Sequence, residues 1–366
     1  MRILQVSSAS SFGGGERYLV DLANTLAARG HELYAALRPD SPTATHLRLP
    51  PDRLKFLPLR NAIDAPSAQA LATLVRKQKI DVIHAHMARD YSLAAYAARR
   101  NPTTKFIVTR HVLFPLNRFH RRTLSQASAV IAVSSAVGRQ LESQGLVPAE
   151  RLAVIPNGID VSRFDRAESR LDRRALLSSL RLPAKSLLVG SIGELRKLKR
   201  HDDFIKAAAD LAEQFPLANF LVAGVDASPS KEVRSQLERL ITELNLNGRV
   251  HLLGWLDNAE ELVCALDVFV SASETESFGL AIGEAMAART AVVSTATEGA
   301  SELIEDQING VLVPIGDVGR MRQAIALLLA DENKRRELGA RARERIEKHF
   351  SLNRMVDEIE RVYLSE

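Results

Sequence analysis

The run Glu274-Thr275-Glu276-Ser277-Phe278-Gly279-Leu280-Ala281-Ile282-Gly283-Glu284 sets two carboxylates eight residues apart, on either side of a glycine where a helix can start. Glu284 is the only charge between Phe278 and Ala288, so it reads as a buried functional acid. An ionised carboxylate in apolar surroundings needs donors to replace its lost hydration, and polyhydroxylated ligands supply them. A helix beginning near Gly279 turns its first unpaired amides toward an anion such as a phosphate, with Glu276 in the preceding loop beside a sugar hydroxyl. Glu284 then lies about one and a half turns inside the helix, where it can accept hydrogen bonds from a ribose diol. Two exposed acids on a surface helix are the alternative, weakened by the apolar residues around Glu284.

A second group of chemical residues is the basic segment Gly193-Glu194-Leu195-Arg196-Lys197-Leu198-Lys199-Arg200-His201. Any of its four cations can neutralise charge developing on a diphosphate leaving group. Lys199 is preferred because the apolar helix pattern resumes just after it; a solvated charge run is the competing reading. Near the N-terminus, Ser7-Ser8-Ala9-Ser10-Ser11-Phe12-Gly13-Gly14-Gly15-Glu16 follows a strand pattern and opens a helix. Gly14 and Gly15 there permit close approach of an anion, although the run is neither GxGxxG nor GxxxxGK[ST]. A ligand-facing loop and a plain strand-to-helix turn both fit it. His84, His86 and His111 raise the thought of a metal, but neither HExxH nor cysteine-rich spacing accompanies them, and none is predicted. His111 fits better as a polar residue at the carboxyl end of a strand, orienting a hydroxyl or touching a transferring sugar. A strand-end histidine satisfied by backbone groups is the plainer role.

The elements that must position these residues alternate. Strand patterns at 2–6, 54–59, 82–84, 105–109 and 130–133 are separated by helical patterns at 15–29, 67–77, 90–99 and 135–144. The rhythm restarts after residue 165, with strands at 186–191, 219–223, 249–252, 267–270 and 291–294. Short apolar strands between longer helices imply covered parallel sheets, and 366 residues exceed the usual span of one core. The expected class is therefore α/β, with two domains. Punctuation by Pro156-Asn157-Gly158 suggests domains at 1–163 and 164–349, followed by a helix in 350–366 that can return to the first domain.

Composition narrows the function. Apolar residues at 46% and charged residues at 25% describe an ordinary globular chain, and one cysteine, Cys264 in an apolar run, excludes an internal disulfide. Strand pattern begins at Arg2 without a signal-like apolar segment, and no stretch reaches membrane-spanning length, which makes a cytoplasmic location the expectation. The net charge of +5 and the cluster Arg118, Arg121 and Arg122 suit a solvated helix face or peripheral contact with an anionic inner-membrane surface. With 5% aromatics and no interleaved motif, nucleic acid is not expected as a partner.

Together SFGGGERYLVDLA near the N-terminus, IPNGID at 155–160, GELRKLKRHDDF at 193–204 and ETESFGLAIGEAMA at 274–287 resemble the retaining glycosyltransferases of family 4, which have the GT-B fold. The last segment matches that family's E-x7-E motif through Glu276 and Glu284. The resemblance implies two Rossmann-like domains whose parallel sheets face an interdomain cleft, with a nucleoside-diphosphate sugar held mainly by the second and a hydroxyl-bearing acceptor by the first. It makes Glu284 the ribose ligand and Glu276 a contact to donor-sugar hydroxyls. Phe278, Gly279 and Leu280 would form the loop approaching sugar and phosphate, and Lys199 would stabilise the diphosphate. His111 would lie beside the reacting sugar, and Gly14 and Gly15 near phosphate and acceptor. No cofactor or metal is implied, and glycan biosynthesis, lipopolysaccharide or exopolysaccharide included, is the expected setting. One departure stands out: Glu194 occupies the place of a common phosphate-binding arginine, and Arg196, two residues later, is the candidate replacement. A sugar-nucleotide sensor without catalysis and a GT-B phosphorylase are the competing functions; the latter lacks a lysine motif for pyridoxal phosphate.

Overall fold

The computed structural model describes residues 1–117 and 120–365. Its chain divides into two compact units, residues 1–158 with the segment from Leu352 onward, and residues 159–351. These divisions fall at 158 and 351, beside the expected positions 163 and 349.

Among the described residues the first unit holds seven strands: β1 (Arg2–Ser7), β2 (Glu32–Leu37), β3 (Leu54–Phe56), β4 (Val82–Ala85), β5 (Lys105–Arg110), β6 (Ala129–Ala132) and β7 (Leu152–Val154). They pair in the order β3-β2-β1-β4-β5-β6-β7, parallel throughout. Both faces of such a sheet are covered by crossover helices, which explains why Ile3, Leu4, Val6, Ile83, Phe106, Ile107 and Val130 are nearly all fully buried. Strand order reverses between β1 and β4, and Gln5 of the former lies in register with His84 of the latter. Chains leaving these two neighbours diverge to opposite faces, opening a crevice at their carboxyl ends where α/β proteins bind ligands.

The terminal helix Leu352–Leu364 belongs to this first unit. Met355, Val356, Ile359 and Tyr363 recur at helical spacing and enter its core, which places one apolar stripe against the sheet layer. At the helix surface Arg29 donates to Asp357 at 2.7 Å, and Glu360 pairs with His31 at 2.7 Å.

In the second unit β8 (Leu187–Ile192), β9 (Ala218–Ala223), β10 (Val250–Gly254), β11 (Val268–Ser271), β12 (Ala291–Thr295) and β13 (Val311–Val313) pair in the order β10-β9-β8-β11-β12-β13, again parallel. Alternation decides the two faces: Val189, Phe220, Val268 and Val270 enter one apolar cluster, Leu188, Leu221 and Phe269 the other. The order reverses here between β8 and β11, so the basic segment and the Glu276 loop leave adjacent strands in diverging directions. Gly224 lets the chain after β9 cross the chain after β8. Its φ is 150°, and a Cβ there would lie 1.9 Å from the Gly193 carbonyl oxygen.

Several expectations need correction. Glu32–Leu37, Leu152–Val154 and Val311–Val313 are additional strands, and the strand expected over 54–59 stops at Phe56. Cys264, whose apolar run suggests a buried structural thiol, is only half-buried, with its thiol facing the Phe164 carbonyl. Of the basic cluster, Arg118 lies outside the described residues, whereas Arg121 and Arg122 are exposed on the short helix His120–Leu124. Among the described residues no helix is long and apolar enough to cross a membrane.

Candidate active site

In the second unit the loops after β8 and β11 are joined by their backbones, because the Glu274 amide donates to the Leu198 carbonyl at 2.8 Å. That bond brings two distant sequence motifs together. Lys199, at the end of the 3₁₀ turn Lys197–Lys199, donates its ammonium to Glu276 Oε1 at 2.6 Å, and the Ser273 hydroxyl donates to the same oxygen at 2.7 Å. The Glu276 side chain is only 14% exposed, so these contacts replace much of its hydration. His201 fixes the basic loop from beneath. It is buried, with one ring nitrogen 3.3 Å from the Ser191 hydroxyl and the other 3.4 Å from the Glu194 carbonyl. Burial lowers its pKa to about 4.

The helix Leu280–Ala287 starts from Gly279, whose φ of 91° suits glycine, and its hydrogen-bond ladder opens with Gly283 donating to the Gly279 carbonyl at 3.0 Å. Leu280, Ala281 and Ile282 precede that first bond, so their amides form the electropositive end of the helix. Phe278 is buried and packs edge-on against Phe350 at 5.8 Å between centroids, anchoring the turn. Glu284 is not the buried acid the sequence suggested. Its side chain is 23% exposed on the half-buried stripe of Leu280, Ala281, Glu284 and Ala288, and Arg163 Nη1 stands 3.5 Å from Oε1. Arg163 also donates to Glu260. Nothing in the sequence pairs residues 163 and 284; the contact exists because the helix Val161–Arg170 packs beside Leu280–Ala287.

Arg196 and Glu194 neighbour each other, with Nη1 3.6 Å from Oε2 and both side chains about half exposed. Arg200 has a different role. It adopts φ 46° at the start of the helix His201–Gln214 and donates to Asp203 at 2.6 Å.

In the first unit the glycine-rich loop follows β1, and Gly13 caps the helix Gly14–Ala28 while donating to Glu16 Oε2 at 3.0 Å. Gly15 faces the imidazole of His111, the first residue beyond β5: a Cβ at Gly15 would lie 3.7 Å from the ring. Asp90, fully buried, accepts from the Ser8 amide at 2.8 Å and so ties the loop to the segment after β4. Burial raises its pKa to about 6. His111 Nε2 is 3.3 Å from His86 Nδ1, and His86 Nε2 is 2.7 Å from Gln5 Oε1. The imidazole of His84 has Tyr363 and Thr109 hydroxyls at 2.6 and 2.7 Å. All three histidines have lowered pKa values, chiefly through desolvation. Among the described residues no group of three or more His, Cys, Asp or Glu side chains is arranged to hold a metal ion. Gln5 was legible only as a polar residue inside the apolar run Ile3-Leu4-Gln5-Val6, while Arg163, Ser273 and Asp90 carried no distinguishing pattern.

These loops, strands and helices have counterparts in known proteins. Residues 12–163 match the model of Glycosyltransferase Family 4, and residues 172–345 match Glycosyl transferases group 1. N-acetyl-alpha-D-glucosaminyl L-malate synthase of Bacillus anthracis is 29% identical over 82% of this chain and 78% of its own. The lipopolysaccharide core biosynthesis glycosyltransferase LpsE of Rhizobium meliloti is 29% identical over 94% of both chains. Anabaena HepE, crystallised with UDP-glucose, superposes with a TM-score of 0.83 at 24% identity, over 98% of each chain. With two parallel-sheet Rossmann-like domains and two family models that between them match most of its length, the chain belongs to glycosyltransferase family 4 and has the GT-B fold.

Proposed function

We propose that this glycosyltransferase moves a sugar, with retention of anomeric configuration, from a nucleoside-diphosphate sugar to a hydroxyl of a glycan, lipid-linked or small-molecule acceptor. The observation that carries this reading is the Lys199–Glu276 contact of 2.6 Å, formed by two loops at the strand-order reversal of the second sheet. A cation and a carboxylate meet there, and the helix that starts from Gly279 follows Glu276 closely in sequence; a diphosphate and a sugar diol require these three kinds of group. On this reading Glu284 accepts from the ribose, Glu276 from donor-sugar hydroxyls, and Phe278, Gly279 and Leu280 line the sugar and phosphate. Gly14, Gly15 and His111 serve the acceptor and the reacting sugar.

The C–O bond from the anomeric carbon to phosphate breaks first, leaving an oxocarbenium-like sugar beside the departing diphosphate. The acceptor oxygen attacks the same face, and its proton passes to a phosphate oxygen. Lys199, the amides of 280–282 and Arg196 stabilise the growing phosphate charge, so they act most strongly in the transition state. Glu276 is a ligand here rather than a nucleophile, since eight residues of sequence do not define the carboxylate spacing that glycosidases use.

The named relatives guide the substrate choice. HepE was crystallised with UDP-glucose, and LpsE is named for lipopolysaccharide core synthesis. UDP-sugars and lipid-linked saccharides therefore head the test, and exposed Arg121 and Arg122 suit peripheral contact with an anionic membrane. A mass-spectrometric screen of UDP-, GDP- and ADP-sugars against lipid-linked and soluble acceptors should reveal a product heavier by one sugar, and the anomeric proton coupling of that product in NMR should match the donor's configuration. Donor binding without transfer or hydrolysis across that panel would support a sensor instead. Phosphate-dependent cleavage of an oligosaccharide would support a phosphorylase.

A further inference from the structure

The polar chain behind His111 carries information about where its proton resides. Gln5 is wholly buried in β1, an interior strand of the first sheet, and its carbonyl oxygen Oε1 lies 2.7 Å from His86 Nε2. A carbonyl can only accept, so His86 Nε2 bears hydrogen. A second proton on His86 would be a buried charge at 3.3 Å from the His111 ring nitrogen and beside the His84 ring, whose centroid is 4.3 Å away. His86 is therefore neutral, and its Nδ1 is an acceptor. Across the 3.3 Å contact His111 Nε2 must then be the donor.

The rings are held in place for this exchange. Those of His86 and His111 lie near-parallel at 26° with centroids 5.6 Å apart, and Tyr18 meets His111 edge-on at 4.8 Å. The other end of the Gln5 amide, Nε2, is buried without a hydrogen-bond partner among the described residues, and the Tyr363 hydroxyl of the terminal helix is 2.6 Å from His84 Nδ1. The lowered pKa values of His86 and His111 agree with neutral rings; desolvation is the larger cause for both, and the charge of Arg110 adds to the effect at His111.

We infer that Gln5 is a positioning residue: through His86 it holds the His111 proton on Nε2, leaving Nδ1 as the acceptor for a hydroxyl of the transferring sugar. The assignment of His111 to that sugar rests on the proposed function, whereas the tautomer rests on the Gln5 amide oxygen, not its nitrogen, facing His86 Nε2. A His111 carrying hydrogen on Nδ1 would instead offer a donor to the same hydroxyl, so Gln5 selects which hydroxyl geometry is bound.

The test uses two-bond ¹H–¹⁵N spectra of the whole protein without substrate, with ring signals assigned by His86→Phe and His111→Phe. At neutral pH the wild-type His111 should show a protonated Nε2 and a pyridine-like Nδ1. A wild-type His111 protonated on Nδ1 would overturn the inference without any variant. Gln5→Met keeps the length and removes the acceptor, so the Nδ1-protonated form should become detectable and turnover should fall about tenfold, the effect of one hydrogen bond. An unaltered His111 tautomer in folded Gln5→Met would also overturn it. Altered tautomers with unchanged turnover would uphold the role of Gln5 in setting the proton and refute the action of His111 on the sugar. Should Gln5→Met fail to fold, His86→Phe removes the intervening acceptor and is read by the same His111 signals.

Discussion

Lys199 and Glu276, separated by 77 residues, share a hydrogen-bonded ion pair of 2.6 Å whose carboxylate is the more buried member. Both groups have a further use on the proposed pathway, so the pair defines where diphosphate and sugar compete for them. Lys199→Ala should lower turnover about 100-fold, as loss of one preorganised charge at a leaving group does. Titration calorimetry should show weaker nucleoside-diphosphate binding with little change for the bare nucleoside. Equal losses for both ligands would indicate collapse of the loop rather than loss of a phosphate contact.

Glu284 and Arg163 lie 3.5 Å apart, and Arg163 keeps Glu260 as a second partner. Removing Glu284 therefore does not strand a buried guanidinium. Glu284→Ala should weaken nucleotide-sugar binding about tenfold or more while leaving the melting temperature within a few degrees of wild type. Calorimetry and thermal denaturation on the same sample separate the two effects. Unchanged donor affinity and transfer rate would remove Glu284 from the ribose site.

The contrast between these acids marks what the sequence made readable. Helix periodicity and Gly279 located the start of Leu280–Ala287, because glycine at positive φ is a local requirement. Burial of Glu284 was misread, since only one face of that helix is covered and the partner comes from residue 163. Likewise β2 hid behind Ala35 and Ala36, which carry little strand preference, whereas three-residue edge strands such as β7 and β13 are too short to display alternation. The apolar strands that build the sheet interiors were legible. Contacts that depend on two distant elements meeting, such as Asp90 with the Ser8 amide, were not.

Arg196 and Arg200 differ in anchoring although both belong to the basic segment. Arg196 is about half exposed beside Glu194, whereas Arg200 sits in a left-handed turn and is bound to buried Asp203. Arg196→Ala should reduce turnover about tenfold with an unchanged melting temperature, the signature of a charge used in catalysis alone. Arg200→Ala should chiefly lower the melting temperature, by leaving Asp203 short of one partner. Steady-state rates and melting curves for both variants decide the matter; equal, near-wild-type rates would leave Glu194 without a replacement.

Buried histidines should make folding acid-sensitive. His84 is pulled down to about 3 by burial and by neighbouring His111, His86 lies well below its ordinary value through burial and the His84 and His111 charges, burial and Arg110 bring His111 to about 3, and burial brings His201 to about 4. An unfolded histidine titrates near 6.5, so between the folded and unfolded values the unfolded chain holds more protons. The stability they contribute is fully present above about pH 6.5 and is lost as the pH falls toward 4, with a limiting slope of about 1.4 kcal/mol per pH unit for each. Asp90 opposes them. Raised to about 6, it favours the folded chain in acid and loses that advantage as pH rises from about 4 to 6. Four histidines outweigh Asp90 and Glu16, the latter also raised by burial, so the urea midpoint followed by circular dichroism should fall steadily from pH 7 to pH 5, and less steeply for His201→Gln. A midpoint that rises on acidification over this window would show that these rings do not stay neutral in the folded protein.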